Sequence, residues 1–202
     1  MGKRGCLTAL AVLLAVAAVL AAGGFVYGVR THNRIVSLEE GVNGQWALVE
    51  NQYQRRADLV PNLVNTVKGY AAHESGTLEA VAAARAKATQ ITVDADGLNE
   101  ESLLRYQQAQ GELSQALGRL LSVAEKYPEL KADQHFLELQ AQLEGTENRI
   151  ATERMRYADR VREYNTSIRQ FPVNLIASMG GFGRKPQFEA ETGAEKAPHV
   201  QF

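Results

Sequence analysis

The chain has one cysteine, one tryptophan and five prolines in 202 residues. A lone Cys6 excludes an internal disulfide and any cage of cysteine thiolates around a metal. Strict alternation of apolar and polar residues, the mark of a half-buried strand, does not occur, and no segment repeats. The histidines, His32, His73, His135 and His199, stand singly, without the i, i+4 pair of a zinc-protease helix. Neither a G-x-S-x-G elbow nor a phosphate-cradling glycine loop ahead of a helix is found. No catalytic residue, cofactor site or metal site is therefore assigned. Thr92, Asp94, Asp96 and Gly97 fall on positions one, three, five and six of a calcium loop. That frame needs an acid first and a glutamate twelfth, where this chain has Thr92 and Leu103, so the segment reads as a solvated turn.

Charge of one sign is also lacking. Lys and Arg total 22 against 23 Asp and Glu; without Lys3 and Arg4 the balance is 20 against 23, about −3. Nothing supplies the basic face that a nucleic-acid partner requires.

What the chain does have is a long apolar run. Leu7 to Val29 carries no ionisable side chain except Tyr27. At about 1.5 Å per residue its length is about 34 Å, enough to cross a hydrocarbon core of about 30 Å with some tilt. A cleaved signal peptide is the competing reading, with Lys3 and Arg4 ahead of the run and Val19, Leu20 and Ala21 as the processing site. The apolar stretch continues beyond it through Phe25, Val26 and Val29, too far for an h-region. The run is read as an uncleaved, single-pass anchor. Lipidation fits worse, because Cys6 precedes the run and Gly2 lacks a Ser or Thr at position six. Lys3, Arg4 and the amino terminus slightly outweigh Arg30 and Arg34, which places the following domain on the extracytoplasmic, periplasmic side of the cell membrane.

After the anchor the period becomes helical. Val42, Trp46, Val49, Tyr53, Ala57, Val60, Val64, Val67 and Ala71 form one stripe, extended by Leu78 and Val81 to a predicted end near Gln90. Pro61 predicts a kink near Asp58 to Asn62. Asn99 is the predicted N-cap of a second helix bearing Leu103, Tyr106, Gln110, Leu113, Leu117, Leu120, Ala124 and Tyr127, stopped by Pro128. A third, capped by Asp133, carries Phe136, Leu143, Ile150, Tyr157, Val161, Tyr164, Ile168 and Phe171 and closes at Pro172. The fold class is all-α: an N-terminal transmembrane helix followed by an elongated antiparallel bundle of long helices. The organisation is a basic N-terminus (1–6), the span (7–29), the bundle (30–177) and a Gly-rich, mobile tail (178–202), in which Phe182 and Phe188 are docking anchors.

Polar residues stand among the stripes. Arg55, Arg56, Asp58 and Asn62 flank Pro61; Glu125 and Tyr127 end the second helix of the bundle; Glu147, Asn148, Arg149 and Asn165 lie on the third. One reading makes them hydrogen bonds and pairs such as Arg149 with Glu153 that set register; the other makes them a surface for a partner.

The same residues carry a resemblance. The stretch Arg55-Arg56-Ala57-Asp58-Leu59-Val60-Pro61-Asn62-Leu63-Val64, then Val67-Lys68-Gly69-Tyr70 and His73-Glu74, resembles the signature of the LemA family of bacterial membrane proteins. So do Glu125-Lys126-Tyr127-Pro128-Glu129-Leu130-Lys131, Phe136, Leu139-Gln140, Thr146-Glu147-Asn148, Tyr157, Val161, Tyr164-Asn165, Phe171-Pro172, Gly181-Phe182 and Phe188-Glu189. Ala158 and Gln187 depart from the family's usual Asn and aromatic. The likeness runs from Asn33 to Glu189 and implies a membrane anchor, a helical bundle and no established enzymatic activity.

The expected function is a membrane-anchored, non-catalytic interaction or scaffold module of the bacterial cell envelope. Its expected partners are the lipid bilayer, another envelope protein and a second copy of itself. One alternative is a hydrolase or regulator of envelope proteolysis, which requires Asp58, Asn62, Glu125 and Glu147 to converge in a pocket. Another is membrane shaping or lipid contact through Phe182, Arg184, Lys185 and Phe188.

Overall fold

The structure, a computed structural model, describes residues 3–94 and 97–189, with side chains from Val12 onward. The described residues form helices α1 (Lys3–Tyr70), α2 (Ser75–Gln90), α3 (Glu100–Ala124), α4 (Pro128–Lys131), α5 (Gln134–Ser167) and α6 (Val173–Met179), with no strand among them. The fold is thus all-α, with a long apolar N-terminal helix leading into a helical bundle. Residues 190–202 of the expected tail and Asp96 of the connecting turn lie outside the described residues.

The apolar run and the first bundle stripe belong to one helix, which continues through Pro61. Proline has no amide hydrogen, so the carbonyl four residues earlier, Ala57, loses its helical partner. Arg85 of α2 supplies the replacement: its Nε donates to the Ala57 carbonyl at 2.7 Å. Arg85→Ala is expected to cost about 1–3 kcal/mol, the range for an orphaned part-buried acceptor. In a Pro61→Ala background, where the amide of residue 61 is restored, that cost should shrink toward zero. Urea denaturation of the four proteins of this cycle measures it; equal costs in both backgrounds contradict the assignment.

The expected single helix from Val42 to Gln90 is two. α1 ends at Tyr70, and the turn at Ala71 to Glu74 is held by Ala71 N to Val67 O (2.8 Å) and Glu74 N to Ala71 O (3.0 Å). The Arg85–Ala57 bond shows α2 returning along α1. Leu78 and Val81 remain buried after the reversal, so the apolar period persists across it and hides it.

The described residues divide into two compact units: those of 42–161 with 185–189, and those of 3–41 with 162–184. In the first, Val60, Leu63 and Val67 of α1 bury against Leu78 and Val81 of α2, Leu113, Leu117 and Leu120 of α3, Leu130 of α4, and Phe136 and Leu143 of α5. Local signals frame these helices as expected. Asn99 Oδ1 accepts from Ser102 N, and Ser102 Oγ accepts from Asn99 N, both at 2.9 Å, a capping box for α3. Asp133 caps α5 by accepting from Phe136 N at 2.8 Å and also accepts from the Tyr70 hydroxyl at 3.0 Å. The Phe136 amide, then Tyr70, hold the Asp133 carboxyl below its ordinary range. Pro128, expected to stop a helix, is the first residue of α4.

In the second unit α5 stops at Ser167 instead of reaching Phe171, which is 80% exposed and not on the buried stripe. A cis Phe171–Pro172 peptide leads into α6, a further helix beyond the expected closure at Pro172. Gly181, at φ +74°, ends α6: Phe182 N donates to Ala177 O at 3.0 Å, the reversal of a Schellman cap. These glycines turn the chain back instead of releasing it. Phe182 then packs on His32, ring centroids 5.2 Å apart, and the Tyr164 hydroxyl donates to Gly183 O at 3.0 Å. Burial, then the charge of Glu39, push that hydroxyl up to about 12.

Candidate functional site

Two arrangements concentrate the polar and aromatic residues of the bundle. The first is centred on Arg56, on the buried face of α1 and only 1% exposed. One terminal nitrogen donates to Ser114 Oγ (2.6 Å) and Glu147 Oε1 (2.8 Å); the other donates to Gln110 O (3.0 Å) and Gln110 Oε1 (2.6 Å). Its carbon lies 5.1 Å from the Tyr53 ring centroid. One guanidinium thereby joins α1, α3 and α5, and the planar fork suits that task in a way a lysine ammonium does not.

Glu147 is 46% exposed, yet it is the carboxylate paired with this buried cation. Truncating a half-exposed side chain ordinarily changes stability by about 0.5 kcal/mol or less. Glu147→Ala instead leaves Arg56 without its counter-charge, and about 2–3 kcal/mol is expected, toward the low end for a broken buried pair. Arg56→Met should remove much of that penalty when combined with Glu147→Ala, since no buried charge remains. Urea denaturation of the full chain in detergent distinguishes these outcomes; a cost below about 0.5 kcal/mol for Glu147→Ala contradicts the pairing.

The second arrangement is aromatic. Trp46 meets Tyr106 at 5.3 Å, Tyr157 at 5.6 Å and Phe188 at 6.0 Å between ring centroids, and Tyr53 meets Tyr106 at 5.4 Å. Trp46 Nε1 donates to Val93 O at 2.9 Å, which fixes the α2–α3 connection over the indole. The segment 185–189 completes the box. Tyr157 Oη donates to Pro186 O (3.0 Å), Arg154 lies 4.4 Å from the Phe188 centroid, and Gln107 Nε2 donates to Glu189 O (2.8 Å). The stretch expected to be mobile is therefore docked as far as Glu189. Burial raises the Tyr53, Tyr106 and Tyr157 hydroxyls, which stay protonated.

The other sequence candidates do not form one site. Arg55, Asp58, Asn62, Glu125, Asn148 and Arg149 are exposed, Tyr127 packs against the apolar core, and Asn165 is buried in the other unit. Asp58 accepts from Gln54 on its own helix at 2.8 Å. Glu153, expected to pair with Arg149, bonds Arg156 at 2.8 Å and Gln45 Nε2 at 2.6 Å. Cavities of about 360 Å³ between α2 and α3, and about 210 Å³ beside Tyr53 and Tyr106, are lined by none of Asp58, Asn62, Glu125 and Glu147.

Glu50 lines the smaller cavity, and burial, then Asp94, raise its carboxyl above the ordinary value. A group whose pKa is raised by folding destabilises once both states have ionised and is without effect when both are protonated. Glu50→Gln should therefore stabilise near neutral pH, and the gain should vanish well below pH 4.5. Paired thermal melts measure it; a gain that persists at the acid end contradicts the assignment.

Comparison with known proteins supplies the family. The LemA family matches residues 45–202. The chain belongs to the LemA family. Among named relatives, magnetosome proteins MamQ 1 and MamQ 2 of Paramagnetospirillum magneticum are each 26% identical over 181 residues, covering 81% of this chain and 66% of theirs. Magnetosome protein MamQ of Magnetospirillum gryphiswaldense is 25% identical over 184 residues, covering 81% of this chain and 66% of its own. The chain thus spans just under two thirds of the length of these relatives. In this LemA-family chain both ends of the central ion pair fall in the segments that carried the sequence resemblance: Arg56 beside Asp58 and Pro61, Glu147 between Thr146 and Asn148.

Proposed function

We propose that this LemA-family chain is a membrane-anchored, non-catalytic interaction module of the bacterial cell envelope, its bundle facing the extracytoplasmic side. The observation that carries the reading is the continuity of α1. An apolar stretch exposed from Val12 to Val29 except at half-buried Gly28, with Val19, Leu20 and Phe25 at 71%, 70% and 74%, runs unbroken into the helix that supplies Trp46, Arg56 and Val60 to the bundle. Such a stretch is a liability in water and fits a bilayer. The buried cation is engaged in joining helices, which supports a structural use of the polar residues. The relatives are named for the magnetosome and not for a reaction.

A binding surface for another envelope protein, or for a second copy, has apolar contacts available at Leu104, Leu137 and Met155, exposed by 40%, 48% and 64%. Photo-crosslinking from Leu137 and Met155 in intact cells tests this. Reproducible adducts of defined mass are expected; monomer alone from both positions contradicts the proposal.

A further inference from the structure

Helix α6 leaves an apolar surface uncovered within the same compact unit that holds the apolar run. Its inner side is buried through Ala177, in a unit whose other buried residues include Thr31, Ile35, Tyr164 and Ile168. On its outer side Leu175 and Met179, one helical turn apart, are 56% and 89% exposed, and Phe171 ahead of the helix is 80% exposed. Leu175 and Met179 on α6, with Phe171 just ahead of it, put three large exposed apolar side chains within nine residues, a concentration of the kind that marks a contact surface.

Two observations identify what covers it. The first is position. Phe182, three residues beyond Met179, packs on His32. His32 follows the end of the apolar run by three residues, about 4.5 Å of helix rise. The close of α6 therefore lies within about one helical turn of the level where the run ends. The second is charge. The sequence has no Asp or Glu before Glu39 and none between Glu163 and Glu189. Arg30, Arg34, Arg169 and Arg184 are exposed in this unit. An apolar element with cations around it, beside a span, has the composition of an interfacial membrane contact.

We infer that Phe171 and α6 form a second membrane contact, a hook lying in the headgroup layer of an anionic bilayer. Phe171, Leu175 and Met179 enter the acyl boundary, and the four arginines face lipid phosphates. The inference rests on the reading of Leu7–Val29 as a span. It also moves the lipid-contacting residues away from Phe182 and Phe188, which are engaged with His32 and with the aromatic box.

Fluorescence quenching of the full chain in vesicles of phosphatidylcholine and phosphatidylglycerol tests it. In a Cys6→Ser background, single labels are placed through Val19→Cys, Asn174→Cys, Leu175→Cys and Met179→Cys. Lipids carrying a quencher near the headgroup should lower the Leu175 and Met179 signals roughly twofold, as expected for side chains at the acyl boundary, while aqueous iodide quenches Asn174. If the Leu175 and Met179 labels respond to iodide as Asn174 does while Val19 stays shielded, the hook is overturned and the span stands. If Val19 is also reached by iodide, the span reading fails and the hook fails with it. Protein-concentration-dependent self-quenching at Met179, without lipid quenching, assigns the face to a second copy and overturns the inference.

Discussion

Arginine at both Val19 and Leu20 is expected to abolish membrane retention. The two positions lie near the middle of the run Leu7–Val29, and both side chains are exposed along α1, so neither substitution disturbs a packed core. The effect is then one of transfer. Arginine at the centre of a spanning helix costs about 2.5–3.5 kcal/mol, and leucine or valine contributes up to about 0.6 kcal/mol the other way, so two replacements remove about 6–8 kcal/mol. That exceeds what tilt or snorkelling recovers in a run of this length. The variant should leave the carbonate-resistant membrane fraction and appear in the soluble or aggregated fraction. Continued carbonate resistance would show that the run is not what holds the chain to the bilayer.

Trp46→Ala carries the next largest expectation. The indole is 1% exposed, meets three other rings and donates to the Val93 carbonyl. Emptying such a site costs about 3–5 kcal/mol through lost transfer energy and the cavity left behind. Trp46→Phe keeps a ring and loses the hydrogen bond and part of the volume, for about 1–2 kcal/mol. The consequence extends to the docked segment, because Phe188 rests on Trp46 and Tyr157. With Trp46 removed, cleavage by trypsin after Arg184 should accelerate before the helices melt. Urea denaturation in detergent and a proteolysis time course read the two effects separately. A loss below about 1 kcal/mol would mean that the box is not a packed core.

What could be read from the sequence was local. Asn99 and Asp133 announce their helices because a cap is a bond between residues three apart. The apolar stripes announce the buried faces because the helical period is short. What stayed hidden depends on distance. The reversal after Tyr70 leaves the apolar period intact and contains no proline, so spacing alone joins α1 to α2. Helix α6 is only seven residues and its amphipathic pattern is too brief to register. The glycines at 180 and 181 read as a release because a Schellman cap and a flexible linker use the same residue. The Arg56–Glu147 pair was present among the polar candidates, but its members are 91 residues apart, and no sequence spacing singled out Glu147 over Glu125 as the partner. The same holds for Arg85, absent from the candidates although Pro61 predicts that some donor must meet Ala57.

Proximity labelling in the native membrane, with the labelling enzyme fused to the bundle, tests the central claim most directly when the full chain is compared with one lacking residues 1–29. A tethered interaction module predicts a small, reproducible set of envelope neighbours that disappears with the span. The same background of neighbours with and without residues 1–29 would contradict it.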